Sequence, residues 1–373
     1  MNERWIAGRM EHIEASGIRR AFEMARSMKN PINLSIGMPN FDVDPSIKAA
    51  AHAAIDEGLN QYSLSQGAPE LRDLLKKAIE PYGHPDRDVL VTAGTAGGLL
   101  LAMIAVVDPG DEVIVFDPYF VMYGNQVAMA GGRTVLIDTY PDFRIDAAKV
   151  AAAMTPRTKA VIVNSPNNPT GVVASAEELK ALALLCRERG VLLISDEVYK
   201  AFCFDDAFHS PAEWNEDVLV VDGFSKTYGM TGWRLGFAHG PSRLIQEMIK
   251  IQQFTFVCAP TPLQHAVARG LASGGVDLGD QIEAYRRKRD LVVEALGGLY
   301  ELPRTDGAFY AFPKAPWGTA SEFCAEAIKR ELLVIPGNVF SRRDTHFRVS
   351  YAVADDVLRR GLDVLRSMAE RGA

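Results

Sequence analysis

The sequence predicts an α/β protein, with a mostly parallel sheet between helices and a smaller α+β unit after it. Three observations carry this. Short β-branched apolar runs alternate with longer helical patterns as far as about Ala259. Those runs are apolar throughout rather than alternately polar, as strands buried on both faces must be. After Ala259 the alternation gives way to helices and a few short strands in a different order.

Val89 to Thr92 is expected as a strand, with a helix from Thr95. Val113 to Phe116, Thr134 to Ile137, Ala160 to Val163, Val191 to Ser195 and Val218 to Val221 read as further buried strands. Helical patterns such as Glu177 to Arg189 lie between most of them. Asp108-Pro109-Gly110-Asp111, Asp117-Pro118 and Gly131-Gly132 mark turns. The later part reads as a helix through Gln264 and Leu271, then a long charged helix from Ile282 to Leu296. Strands are expected at Ala308 to Phe312, Leu333 to Ile335 and Phe347 to Ser350, with helices at Ala320 to Glu331 and ending near Met368. An N-terminal helix is expected around Ser16 to Met28.

The length, 373 residues, favours two cores over one. A net charge of -7 argues against a broad nucleic-acid surface, which needs clustered Lys and Arg. The longest apolar run, around Leu99 to Val107, is too short to span a bilayer, and no apolar stretch follows Met1 to Arg9 as in a secretion signal. Cys186, Cys203, Cys258 and Cys324 are spread without metal-ligand spacing. They read as reduced core residues, with a cytoplasmic compartment and no metal site expected.

The chemistry concentrates in three segments. In Gly223-Phe224-Ser225-Lys226-Thr227-Tyr228-Gly229-Met230-Thr231-Gly232-Trp233-Arg234-Leu235-Gly236 a lysine stands among small and apolar residues just past a buried strand. Desolvation there lowers an amine's pKa and makes it a nucleophile and base. Arg234 offers a planar guanidinium suited to a phosphate. Ser165-Pro166-Asn167-Asn168-Pro169-Thr170-Gly171 is turn chemistry at a strand end, where open α/β sheets bind ligands, and a cis bond is expected at Asn168-Pro169. Ser195-Asp196-Glu197-Val198-Tyr199 puts a carboxylate at the end of an apolar run. That reads either as a helix N-cap or as a counter-ion for a cationic ligand.

Together these segments resemble the class I aminotransferases, a fold-type I pyridoxal-phosphate family, and the likeness runs from Ser16-Gly17-Ile18-Arg19 to Arg348. The resemblance implies a seven-stranded, mostly parallel sheet in a large domain (residues 41–258), with residues 1–40 and 259–373 forming a small α+β domain. It implies pyridoxal 5'-phosphate bound as a Schiff base to Lys226, which then shuttles a proton as base and acid. Asp196 would pair with the ring nitrogen, Asn168 and Tyr199 with the phenolic oxygen, and Phe120 would stack on the ring. Gly94, Thr95 and Ala96 open the helix expected to hold the phosphate, completed by Ser225 and Arg234. Arg348 and Gly37 would hold the substrate's α-carboxylate. Tyr62 would reach the phosphate of a partner subunit, implying a homodimer with shared sites. Two positions depart from the pattern. Gly223 stands where many relatives have a phosphate-binding serine, and Ala96 where some aspartate-specific relatives have a lysine.

The implied reaction is amino transfer from an L-amino acid to a 2-oxo acid, with an aromatic, aliphatic or broad donor and no aspartate specificity. A carbon–sulfur β-lyase of the same fold is the alternative, because the lysine signature serves both. A regulator carrying an aminotransferase-like domain is a third reading. It is disfavoured by the acidic chain and by the short stretch before Ile36-Gly37, which leaves no room for a winged helix.

Overall fold

The computed structural model describes residues 5–13, 17, 28–205, 207–274 and 276–370. In chain order, strand β1 (Ile32–Asn33) precedes helices α1 (Pro45–Asp56) and α2 (Pro69–Ile79). Four strand-to-helix units follow: β2 (Arg87–Thr92) and α3 (Gly94–Val106), β3 (Glu112–Asp117) and α4 (Met122–Met129), β4 (Arg133–Asp138) and α5 (Ala147–Ala153), β5 (Thr158–Asn164) and α6 (Ala176–Arg189). Next come β6 (Leu192–Asp196), β7 (Leu219–Gly223), the short α7 (Phe224–Thr227), β8 (Gly236–Pro241), α8 (Ser242–Thr255), α9 (Thr261–Ala272) and α10 (Gly279–Leu296). The last are β9 (Tyr310–Ala311), α11 (Ala320–Lys329), β10 (Leu332–Leu333), β11 (Ile335–Pro336), β12 (Phe347–Ser350) and α12 (Asp355–Glu370).

Seven strands form one sheet in the order β2-β8-β7-β6-β5-β3-β4. Neighbours from β7 to β4 are parallel, and only β8 runs antiparallel, against both β2 and β7. The expected fold class therefore holds. Val113 and Val115 of β3 pack on one face with Leu99 of α3 and Met248 of α8; Ile114 and Phe116 pack on the other with Leu179 and Leu182 of α6. With both faces covered, no polar position remains to reveal the period of two. Local signals bound α6, where Ser175 and Glu178 form a capping box and Gly190 closes the helix at φ 62°.

In a three-stranded antiparallel sheet, β11-β12-β9, the strands β12 and β9 pack with Tyr285 and Val292 of α10, Phe323 of α11 and Leu362 of α12, whereas Ile335 of β11 packs with Phe312 and Phe340. The expected division at 258/259 falls just before α9. Yet Ala266 and Val267 of α9 pack with Ile47 of α1 and Leu71 of α2.

Several expectations need correction. Strand β8 was not among the expected strands, because its Gly-Phe-Ala-His-Gly-Pro sequence has two glycines, a proline and no β-branched residue. Pairing on both sides makes it a strand. Leu333 to Ile335 is not one strand: Leu332–Leu333 pairs with β1 and Ile335–Pro336 with β12, so strands one residue apart serve two sheets. Ala308 to Phe312 narrows to Tyr310–Ala311, since Ala308 lies at φ 55°, outside the β region. Cys186 and Cys324 are buried thiols, whereas Cys203 and Cys258 are only half-buried, in connections rather than in the core. The helix expected around Ser16 to Met28 falls outside the described residues, apart from Gly17 and Met28. Among the described residues no helix is long and apolar enough to cross a membrane.

Candidate active site

The parallel register brings the chemistry to one edge. Asn164 of β5 pairs with Asp196 of β6, and Asp196 with Val221 of β7. The segments carrying Asn168, Tyr199 and Lys226 therefore leave the sheet side by side, at the C-terminal strand ends. They line a cleft of about 670 Å3.

At its centre is Lys226, on α7. Its Nζ donates to the Gly37 carbonyl at 2.6 Å. The side chain borders the open cleft, but the amine is crowded by protein. Burial, then the Arg348 and Arg234 charges, push its pKa down to about 8 against the opposing pull of Asp196. Part of the amine is therefore unprotonated near neutral pH, as a nucleophile requires. Asp196 is buried, with Oδ2 accepting from Tyr123 Oη at 2.7 Å and its main-chain carbonyl from Asn164 Nδ2 at 2.9 Å. Burial raises its pKa to about 6, and the Tyr123 hydrogen bond opposes the rise. A cationic ligand group beside it would offset the cost of burying the charge.

One end of the cleft suits an anion. The N-cap of α3, Ala93, gives no side-chain cap, so the first-turn N–H groups are left for a ligand. Thr95 and Ala96, both lining the cleft, stand in that turn, and Thr95 Oγ1 is buried without a partner. Ser225 and Arg234 line the same cleft. Arg234 holds φ 56°, costly for a residue with a Cβ, and its Nη1 donates to the Thr231 carbonyl at 3.0 Å. Gly94 sits at φ 70°, which favours glycine, and a Cβ there would come 2.7 Å from Arg234 Nη2 and push the guanidinium aside. Gly223 needs room rather than conformation: its Cβ would lie 2.7 Å from Thr95 Oγ1. Thr95 thus occupies the space into which a serine at 223 would project.

A second part of the cleft, around Arg348, suits a carboxylate. Arg348 is 1% exposed, yet among the described residues no acid pairs with it. Its Nη1 donates to Asn168 Oδ1 at 2.9 Å and Nη2 to the Ser35 carbonyl at 2.6 Å. The rings of Tyr310 and Phe340 stand 4.6 and 4.7 Å from the guanidinium carbon, and Nε has no partner. Asn168-Pro169 is cis, as expected. Phe120 lines the cleft edge-on to Tyr123. Tyr62 does not line the cleft and is 82% exposed on this chain.

Among the cleft residues that the sequence analysis did not single out, Tyr123, Tyr310 and Asn164 bond to ones that it did. Tyr310 Oη stands 2.8 Å from Tyr199 Oη. A Cβ on Gly37 would lie 2.2 Å from Tyr310 Oη, so Gly37 too is a matter of room. Asn164 alone had a signal, as the final residue of a strand beside the one ending on Asp196.

Residues 29–365 match the family model for aminotransferase class I and II. The chain is 35% identical to a probable aspartate aminotransferase of Methanocaldococcus jannaschii, over 98% of this chain and 100% of that protein. It is 33% identical to aromatic-amino-acid aminotransferase 2 of Thermococcus litoralis, over 96% of each. The solved aspartate aminotransferase of Thermus thermophilus with maleate superposes with a TM-score of 0.90 at 34% identity, over 97% of this chain and 99% of that one. A match of that extent, on a chain whose cleft gathers Lys226, Asp196, Asn168 and Arg348, means that this protein belongs to the class I and II aminotransferases, which move an amino group between an amino acid and a 2-oxo acid.

Proposed function

We propose that this aminotransferase works with pyridoxal 5'-phosphate attached to Lys226. The observation that carries the reading is the Lys226 amine, brought down to about 8 beside a buried carboxylate, Asp196, in a cleft with an anion end and a carboxylate end. The residues present fit the cofactor. The orphaned Thr95 hydroxyl, the uncapped start of α3, Ser225 and Arg234 suit its phosphate. Asp196, held by Tyr123, suits a protonated ring nitrogen, and Phe120 suits a ring face. Asn168 and Tyr199 are the donors for the phenolic oxygen.

When bound, the cofactor supplies the electron sink that makes a substrate α-proton removable. Lys226 then takes that proton and returns it, acting as base and acid at one position. Arg348, paired with no acid among the described residues, binds the substrate α-carboxylate next to the Gly37 backbone. The donor is an L-amino acid and the acceptor a 2-oxo acid such as 2-oxoglutarate or pyruvate. Exposed Tyr62 supports a homodimer in which each subunit completes the other's phosphate site. We also propose a cytoplasmic location and two domains, with α9 on the larger side, so that the division falls after Ala272 rather than at the expected 258/259.

The test is the absorbance spectrum of the purified protein as L-amino acids are added without an oxo acid. The expected result is loss of the cofactor's visible band and its return with 2-oxoglutarate or pyruvate, both abolished in Lys226→Ala. A persisting band with accumulating ammonia would point instead to the β-lyase. Failure to bind the cofactor at all would remove Lys226 from its role.

A further inference from the structure

We infer that the side-chain subsite of this cleft selects L-amino acids with large apolar side chains over dicarboxylic ones, an inference that rests on the functional reading above. Three cations line the cleft among the described residues, and each has a place: Arg234 beside Gly94 at the start of α3, Arg348 on Asn168 and the Ser35 carbonyl, and Lys226 on the Gly37 carbonyl. A substrate with its carboxylate at Arg348 and its amine at Lys226 must direct its side chain into what remains.

What remains is apolar. Met122 and Met129 lie seven positions apart on α4, two turns along one face, and Val121 stands just before them. Ile13, Ile36 and Met38 complete the lining. The polar side chains there are already engaged. Asn125 Nδ2 donates to the Val121 carbonyl at 2.8 Å, and Thr231 Oγ1 lies 3.7 Å from the Met38 sulfur. A second carboxylate would enter this region with no described cation to meet it, and would give up part of its hydration against apolar walls. A phenyl or isobutyl group would gain from burial, and the three unbranched methionines can repack around either shape. The selection therefore favours aromatic and branched aliphatic donors together rather than one of them.

The test uses the cofactor-loaded enzyme. Half-reaction rates are followed by absorbance with L-phenylalanine, L-leucine and L-aspartate. Binding of hydrocinnamate and of succinate, which lack the amine, is measured separately by calorimetry. The expected result is at least about a tenfold advantage for the apolar member in both measurements. Met38→Lys, at a position 43% exposed and so tolerant of the change, should shift the ratio toward aspartate by about tenfold or more. Equal or faster turnover of aspartate, with succinate binding at least as tightly, would overturn the inference and place a second cation on a partner subunit. If no amino acid converts the cofactor, the functional reading fails, while the hydrocinnamate-to-succinate affinity ratio still decides the inference.

Discussion

Replacing Arg348 with methionine should separate stability from activity. The guanidinium is 1% exposed, has no acid partner among the described residues, and leaves Nε unbonded. Its removal strands two acceptors, Asn168 Oδ1 and the Ser35 carbonyl, at about 1–3 kcal/mol each. It also loses two ring contacts worth about 0.5–2 kcal/mol each. Against this stands relief of an uncompensated buried charge, several kcal/mol. The terms cancel to within roughly 3 kcal/mol, so the cofactor-free protein should unfold in urea at a midpoint close to the parent's. Activity has no such compensation. Losing a buried charge partner of the substrate carboxylate costs about 3–5 kcal/mol, or on the order of 10²–10⁴ in kcat/KM. The reasoning is refuted if kcat/KM stays within about tenfold of the parent. It is equally refuted if the variant loses more than about 5 kcal/mol of stability, since the arginine would then be a structural ion and not a waiting one.

Lys226 predicts a pH dependence. Its folded pKa of about 8 lies below the ordinary 10.5, so between those values the unfolded chain binds more protons than the folded one. The cofactor-free protein should gain stability as pH rises from 8 toward 10.5, and Lys226→Met should lose that gain in urea titrations; an unchanged slope sinks the claim. Tyr310→Phe strands the buried Tyr199 hydroxyl and should cost about 1–3 kcal/mol in the same assay. Gly223→Ser must displace Thr95 Oγ1, now 2.7 Å from the new Cβ, and should weaken cofactor binding by about tenfold. Tighter binding of the cofactor by that variant would show that the crowding is not real.

Much of the architecture was legible because local signals agreed with the global fold. The buried strands announced themselves as unbroken apolar runs, and the Ser175–Glu178 box with Gly190 bounded α6. The misses have identifiable causes. β8 has the composition of a loop and is made a strand by its neighbours. β10 and β11 belong to different sheets although Val334 alone separates them, and hydrophobicity cannot register a change of partner. α9 follows the change of pattern in sequence but packs with the elements that precede it.

The site divides along a physical line. Residues whose roles depend on an unusual local setting were legible: an amine after a buried strand, a carboxylate ending one, an arginine inside one. Residues that act by touching those across the chain were not. Tyr123 meets Asp196 from 73 positions away and Tyr310 meets Tyr199 from 111. A buried tyrosine with a hydroxyl partner and one that merely fills a core have the same sequence neighbourhood, because the partner is supplied by topology. For Gly37 and Gly223, both singled out in the sequence, it is the reason for glycine that topology supplies. Neither has a backbone angle that demands glycine; each is small because Tyr310 or Thr95 already fills the space. Tyr310 joins both groups, since it restricts Gly37, bonds Tyr199 and covers one face of Arg348. It ties Arg348 to Tyr199 and to Gly37, whose carbonyl holds Lys226, so substitution there should perturb KM and the pH response of the cofactor's absorbance together. A change in KM alone would leave Tyr310 as packing for Arg348.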